Sequence, residues 1–306
     1  MAITTRTITI DAPRVGRLDL VVRELAETSR SQVKGMVDQG CVSVNGKPCR
    51  SIGQSVSEGD VVSLTYDDAR RYKENKKSWE DRTFSIVFED EHLIVVEKAA
   101  SVLTVPTDYN DRNTLVERVS LYLSHSRRKR EAFLVHRLDR AVSGLLVFGK
   151  QEEVADALIE QFKQRKPKRL YSAIVAGVMP DDQGTFDSHL ATGNNLDQYS
   201  TRPSKDTERA ITHYRVLKRL SDATHVELTL ETGKRNQIRV HLSEAGHPVL
   251  GDQRYEPKKA THDGWVKKRI ALHAKSLEFV HPVTGETLSF ESPLPTPMQK
   301  FMAGAR

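Results

Sequence analysis

Residues Phe133 to Lys150 read F-L-V-H-R-L-D-R-A-V-S-G-L-L-V-F-G-K, and the rest of the chain is organised around them. The second half, Gly144 to Phe148, is a short unbroken apolar run, the pattern of a buried strand. The first half places His136, Arg137, Asp139 and Arg140 on the loop that enters that strand. A carboxylate with arginines close by is favoured in its charged form, because nearby opposite charge opposes protonation. Such a group is a nucleophile or a base, not a proton donor. The plainer reading is an Asp–Arg pair that pins a loop, and these few residues by themselves leave both open.

The chain has 306 residues, enough for two domains with their own cores. Hydrophobic residues make up 38% and charged residues 29%, the balance of a soluble globular protein. No apolar run approaches the roughly 18 residues that would span a membrane. Residues Met1 to Thr9 lack a signal peptide's apolar core. A cytoplasmic location and no membrane partner are therefore expected. Cys41 and Cys49 form neither a C-x-x-C pair nor a metal-ligand cluster, and two free thiols in a reducing compartment are the simplest reading. The net charge of +6, with a pI near 9.2, favours a polyanionic partner.

Residues 14–66 read as a small separate domain. Leu18, Val21, Val22 and Leu25 have helical spacing, as do Val33, Met36 and Val37. Ser29 or Ser31 could cap the second helix and Gly40 could end it. Val42 and Val44 alternate with polar residues, Asn45-Gly46 signals a tight turn, and Val61–Tyr66 reads as a closing strand. Arg30 and Lys34, four apart on one helix, form a basic face. Residues 67–83 then carry 11 charges in 17 positions with no apolar periodicity, which predicts a linker. A second domain is expected from residue 84 to 306.

Within it, Leu93–Val96 predicts a strand, Thr114–Leu123 a helix, and Glu152–Lys163 an amphipathic helix with Val154, Leu158 and Phe162 four apart. Arg127 to Arg130 form a basic cluster ahead of the central stretch. K-P-K-R-L-Y-S-A-I-V-A-G, residues 166–177, places Lys168, Arg169 and Tyr171 before a buried strand. A lone tyrosine there is most often core. Residues 191–209 are polar and read as a surface loop; Ala210–Leu217 and Thr224–Leu230 read as strands. Next comes L-E-T-G-K-R-N-Q-I-R-V-H-L-S-E-A-G-H-P-V-L-G-D-Q-R-Y, residues 230–255. Gly233-Lys234 lacks the upstream glycine of a phosphate-binding loop, which excludes a P-loop nucleotide hydrolase. His241 and His247 have no metal-ligand spacing and read as structural; no metal is expected. Two strands around Pro282-Val283-Thr284-Gly285 close the domain.

The central stretch resembles the H-R-L-D-x-x-x-S-G-L-L-V-F signature of RluA-type pseudouridine synthases, with Ala141 and Val142 as mild departures. Lys98-Ala99 stands where that family usually has Lys-Pro. Residues 168–177 resemble its K-x-Y-x-A-x-V-x-G pattern. Residues 232–252 resemble its T-G-R-x-H-Q-I-R-x-H-L-x-x-x-G-H-P-x-x-G-D motif, with Lys234 where arginine and Asn236 where histidine is common. The segment R-L-D-x-x-V through V-N-G-K is similar to the RNA-binding domain named after ribosomal small-subunit protein four. The resemblance spans about residues 14–295. It implies an α+β fold: a pseudouridine synthase core of mixed, mostly antiparallel sheets flanked by helices, preceded by a small αβ RNA-binding domain.

The resemblance further implies that Asp139 is the catalytic aspartate, that Arg239 pairs with it, and that Tyr171 contacts the flipped uracil. Arg137, with His136, would help displace the base, while Arg30, Lys34, Lys234 and Asn236 would face RNA. No cofactor is implied. The expected partner is RNA, ribosomal or transfer, and the expected state a monomer. A nucleoside hydrolase would commonly pair two carboxylates or hold a metal, and no second acid accompanies Asp139 in its motif. A non-catalytic RNA-binding protein would suit the composition equally, but not the joint presence of Asp139, Tyr171 and Arg239.

Overall fold

The apolar run at 144–148 lies inside a strand, Ser143–Gly149, in which every residue is buried. The computed structural model describes residues 3–49, 51–68, 70, 72, 81–107, 111–125, 131–266 and 269–304. Most of the charged stretch 67–83, and the cluster Arg127–Arg130, lie outside the described residues. The chain divides into two units, Met1–Trp79 and Glu80–Arg306.

In the first unit, β1 (Ile3–Thr9), β2 (Val42–Val44), β3 (Lys47–Pro48) and β4 (Val61–Asp67) form an antiparallel sheet of order β1-β4-β2-β3. The strand β1 has no apolar run; every second residue is exposed, and it is held along its whole length by pairing with β4. Helices α1 (Leu18–Ala26) and α2 (Arg30–Asp38) turn Leu18, Val22, Val33 and Met36 into one core with Val42, Val62 and Leu64. Ser29 caps α2, its side chain accepting from the Gln32 N–H at 3.4 Å. Tyr72, from the charged stretch, is buried in this core.

The second unit is built on an eleven-stranded sheet. Its first strands are β5 (Phe84–Glu89), β6 (Leu93–Lys98), β7 (Phe133–Leu134) and β8 (Ser143–Gly149). The others are β9 (Lys168–Ala176), β10 (Gln183–Thr192), β11 (Gln198–Thr201), β12 (Glu208–Arg219), β13 (Ala223–Leu230), β14 (Leu272–Val280) and β15 (Thr287–Glu291). The order is β11-β10-β12-β13-β9-β14-β8-β6-β5, with β15 on β14 and β7 on β8. All pairs are antiparallel except β8 with β14. The helices are α3 (Leu115–Ser124), α4 (Glu152–Lys163) and α5 (Gln237–Glu244), with a single turn at Pro257–Ala260 and a final helix at Thr296–Gly304. Val154 and Leu158 of α4 share a core with Leu145 and Val147 of β8 and with Leu93 and Val95 of β6. Residue spacing of two on the strands and four on the helix makes this possible.

The α+β class with mostly antiparallel pairing is as the sequence implies. The expectation of a surface loop over 191–209 is corrected: β10 runs to Thr192, β11 occupies Gln198–Thr201, and β12 begins at Glu208. The strand β11 is the sheet's edge, with a partner on one side only, so its polar sequence needs no buried face.

One close approach fixes the centre. Gly144 has φ +119°, and a Cβ there would meet the Ala274 carbonyl oxygen at 2.2 Å. Gly144 faces Ala274 on β14, which in turn faces Tyr171 on β9. Three neighbouring strands thus carry a row Gly144–Ala274–Tyr171, roughly 10 Å from end to end at the usual strand spacing. The row brings Tyr171 toward the start of β8, where the Asp139 loop arrives.

Candidate active site

The loop 135–142 is pinned on both sides of Asp139. Ahead of it, the buried Thr104 hydroxyl donates to the Leu138 carbonyl at 2.7 Å and accepts from the Leu138 N–H at 3.2 Å. Behind it, the Lys98 ammonium donates to the Arg140 carbonyl at 3.2 Å, and also to the Ala99 and Val102 carbonyls at 2.9 and 2.8 Å. Lys98 is fully buried; burial pushes it down to about 7, while the charge of Asp139 opposes that shift. The Val142 N–H donates to the Asp139 carbonyl at 3.1 Å and closes the turn into β8. The Asp139 carboxylate is left half-buried and held in one place.

Its partner comes from 100 residues further along the chain. Arg239, on α5, donates from Nη1 to Asp139 Oδ2 at 3.1 Å. The same guanidinium grips Asp252 in a fork, Nε to Oδ2 at 2.7 Å and Nη2 to Oδ1 at 2.8 Å. It also donates to Asn236 Oδ1 at 2.9 Å and lies over the Tyr255 ring at 5.1 Å. Burial disfavours the Arg239 cation, but hydrogen bonds and charge from Asp252 and Asp139 outweigh it and raise its pKa. Asp252 is itself completely buried and accepts from the Arg254 and Tyr255 N–H groups at 2.9 and 3.2 Å. Asn236 sits at φ 54°, a left-handed conformation that asparagine tolerates, just before α5. It joins Arg239 to the Tyr255 hydroxyl, which its Nδ2 reaches at 3.1 Å.

The ion pair of Asp139 is therefore with Arg239. Its sequence neighbours turn away: Arg140 Nε reaches the Ser101 carbonyl at 3.5 Å, and Arg137 is exposed at the rim of a cleft. Tyr171 is 7% exposed on β9; burial raises its pKa, with Arg169 opposing and Asp139 adding to the shift. His136 is half-buried, stacked on Phe162 at 4.6 Å, and its Nε2 accepts from the Val147 N–H at 3.3 Å. Burial and the Arg169 charge hold it down at about 3, so its ring is neutral and fixes the loop to β8. Lys234 pairs with Glu208. In the first unit, Arg30 and Arg17 both pair with the buried Asp19, at 3.2 and 2.9 Å, and Lys34 lies one turn along α2.

Asp139, Tyr171, Arg239 and Asn236 are thus brought together, with Arg137 and Lys234 at the cleft beside them. Sequence reasoning gave no role in the site to Asp252, Tyr255, Thr104 or Lys98. Asp252 could have been found from the rule that a buried arginine among few acceptors needs a second carboxylate. No group of three or more His, Cys, Asp or Glu side chains suited to a metal exists among the described residues. His241 accordingly hydrogen-bonds Thr212 and Ser188, and His247 the Ala176 carbonyl.

Two family models match the chain: RNA pseudouridylate synthase over residues 92–244 and S4 domain over residues 16–62. Over 310 residues it is 34% identical to ribosomal large subunit pseudouridine synthase D of Zymomonas mobilis, with 96% of each chain covered. The protein of that name from Nitrosomonas europaea is 35% identical over 95% of this chain and 84% of its own. A solved human structure, RNA pseudouridylate synthase domain containing 4, has the same fold, with TM-score 0.59 at 24% identity over 71% of this chain and 91% of its own. The chain belongs to the RNA pseudouridylate synthase family and carries an S4 domain at its N-terminal end. It is an RNA pseudouridine synthase, an isomerase.

Proposed function

We propose that this synthase isomerises uridines in ribosomal large-subunit RNA, with Asp139 as the catalytic carboxylate and the target base turned out of the RNA stack. The single observation that carries the reading is the Asp139–Arg239 pair at 3.1 Å, on a loop pinned at both ends and beside a basic cleft. The relatives named for large-subunit RNA supply the substrate class.

The reaction breaks the N1–C1′ bond, turns the uracil, and forms a C5–C1′ bond. C5 loses its proton and N1 gains one, so atoms and electrons balance without a redox partner. A base inside a helix cannot turn, so it must leave the stack. Arg137, exposed two residues before Asp139, is placed to fill the gap, and Tyr171 to back the extruded ring. Asp139 acts as nucleophile or base, and the Arg239 guanidinium keeps it aimed. The S4 unit adds RNA contacts through the exposed face around Arg30 and Lys34.

The test is incubation of the purified protein with unmodified large-subunit RNA, followed by chemical mapping of the carbon–carbon nucleoside linkage. Pseudouridine at defined positions is the expected result. Release of free uracil would make the protein a hydrolase, and modification of transfer RNA alone would move the substrate. No product from either RNA would overturn the reading.

A further inference from the structure

The cleft that Arg137, two residues before Asp139, helps to line encloses about 390 Å³ and is also bounded by His136, Phe162, Arg165, Arg169 and Lys234. Sites for small ligands run from about 300 to 1,000 Å³. Most of its cations already have carboxylates: Arg165 lies 3.8 Å from Glu231, Lys234 sits on Glu208, and Lys163 lies 3.9 Å from Glu160. Arg169 differs. It is half-buried on β9, its guanidinium carbon is 5.4 Å from the Phe162 ring centroid, and its Nε is buried with no hydrogen bond. Among the described residues none accepts from its Nη groups either.

The guanidinium is nonetheless fixed. It packs against bare backbone at Gly233, where a Cβ would come within 2.5 Å of Nη1. A buried donor with no acceptor, such as Arg169 Nε, is costly to keep in a folded protein. A fixed fork with its donors free has the geometry that two anionic phosphate oxygens require. Arg169 and Tyr171 are two apart on one strand, so both project from the same face, roughly 7 Å apart. That is the scale on which a nucleotide's base and its backbone are separated.

We propose that this cleft seats a phosphodiester adjoining the turned-out uridine, with Arg169 as the fork that grips it. The inference deepens the proposed function and rests on the uridine lying against Asp139 and Tyr171. Arg169 is then a positioning residue: it holds the strand so that the base reaches Asp139, and Gly233 is glycine to make room for it.

The experiment uses the full chain and a stem-loop RNA carrying a uridine that the wild-type protein modifies. Arg169→Gln should raise KM and the dissociation constant about ten- to a hundredfold, the worth of a lost hydrogen bond to a charged group. It should leave kcat close to wild type and lower the log–log salt slope by about 0.7. Arg169→Lys should recover part of the loss, and Gly233→Ala, which keeps the charge but displaces the fork, should weaken binding without lowering Tm appreciably. A neutral methylphosphonate placed at one linkage beside the uridine should weaken wild type and add nothing to Arg169→Gln. An unchanged salt slope, methylphosphonate effects that add at every linkage, or a fall in kcat with KM unchanged would each overturn the proposal. Failure of the uridine assignment shows separately, as a wild-type protein that binds the RNA but makes no pseudouridine.

Discussion

Two arginines of the second unit, Arg239 and Arg169, have opposite surroundings. Arg239 donates to Asp252, Asp139 and Asn236, and its face is covered by Tyr255. Arg169 has an aromatic face and a bare backbone wall but, among the described residues, no acceptor for its donors. The first is a part of the protein's own framework, closed before any ligand arrives. The second is left open. The same side chain serves to orient a reacting group in one place and to bind a substrate in the other, and what separates the two is whether carboxylates have been placed within reach.

The largest effect should come from the acceptor that Arg239 aims. Asp139→Asn keeps the volume and can still receive a hydrogen bond, but it is neither nucleophile nor base. We expect turnover to fall by at least about a thousandfold with RNA affinity retained, measured by chemical detection of the new linkage because the mass does not change. Residual activity within about tenfold of wild type would assign the chemistry elsewhere. Asp252→Asn should come next, since it converts Arg239 toward the condition of Arg169. Removing one charge of a buried pair costs about 3 kcal/mol of stability, readable in urea unfolding. The loosened guanidinium should misplace Asp139 and lower kcat by about a hundredfold. Its freed donors should at the same time steepen the salt dependence of RNA binding. A variant that loses stability but keeps kcat would show that Asp252 orders the fold and not the carboxylate.

How far the sequence carried follows from what kind of signal each residue leaves. Strand β8 was legible because Gly144–Phe148 is apolar without a break, and α4 because Val154, Leu158 and Phe162 repeat at four. Asp139 and Arg239 were legible because each lies in a long motif. Asp252 ends the same motif as Arg239, but its role was not legible, because only the fold shows that it faces that arginine. Local reading set Arg137 and Arg140 beside Asp139 in the chain, the motif resemblance named Arg239, and in space it is Arg239 on α5 that donates to Asp139. Strand β11 escaped because an edge strand with one neighbour can be Q-Y-S-T and still be held by backbone pairing to β10. Arg169 left a trace, a cation two residues before Tyr171 on a strand, but its lack of an acceptor is a property of the folded site.

A smaller effect should come from Asn236, the residue that departs from the family's usual histidine. Its side chain both accepts from Arg239 and donates to Tyr255, while its backbone is left-handed. Asn236→Ala removes two hydrogen bonds and adds backbone strain of about 1–2 kcal/mol. Asn236→Gly removes the bonds with little strain. We expect Tm to fall more in the alanine variant, and kcat to fall about five- to tenfold in both. A glycine variant with full kcat would mean that Asp252 alone is enough to orient Arg239.

The most graded effect should come from Lys98, a cation that stands between the two arginines in kind. It is fully buried like Asp252, yet its hydrogen bonds among the described residues go to three neutral carbonyls, those of Ala99, Val102 and Arg140. Burial pushes it down to about 7, whereas in an unfolded chain a lysine titrates near 10.4. Below pH 7 both states carry the proton, and the cost of burying the charge is present in full. Between about 7 and about 10.4 the unfolded chain holds more protons than the folded one, so stability rises with pH, by at most about 1.4 kcal/mol per unit. Lys98→Met has no such proton. Subtracting its unfolding free energy from that of wild type, at each pH from 6 to 10, cancels most other titrations. The difference should be level below 7 and then grow in favour of wild type. The reason is electrostatic: burial disfavours the ammonium, and neither the three carbonyl dipoles nor the charge of Asp139 offsets that. A difference that stays level up to pH 10 would show that three well-placed carbonyls suffice, and that the line between a closed and an open cation is drawn by hydrogen-bond geometry more than by paired charge.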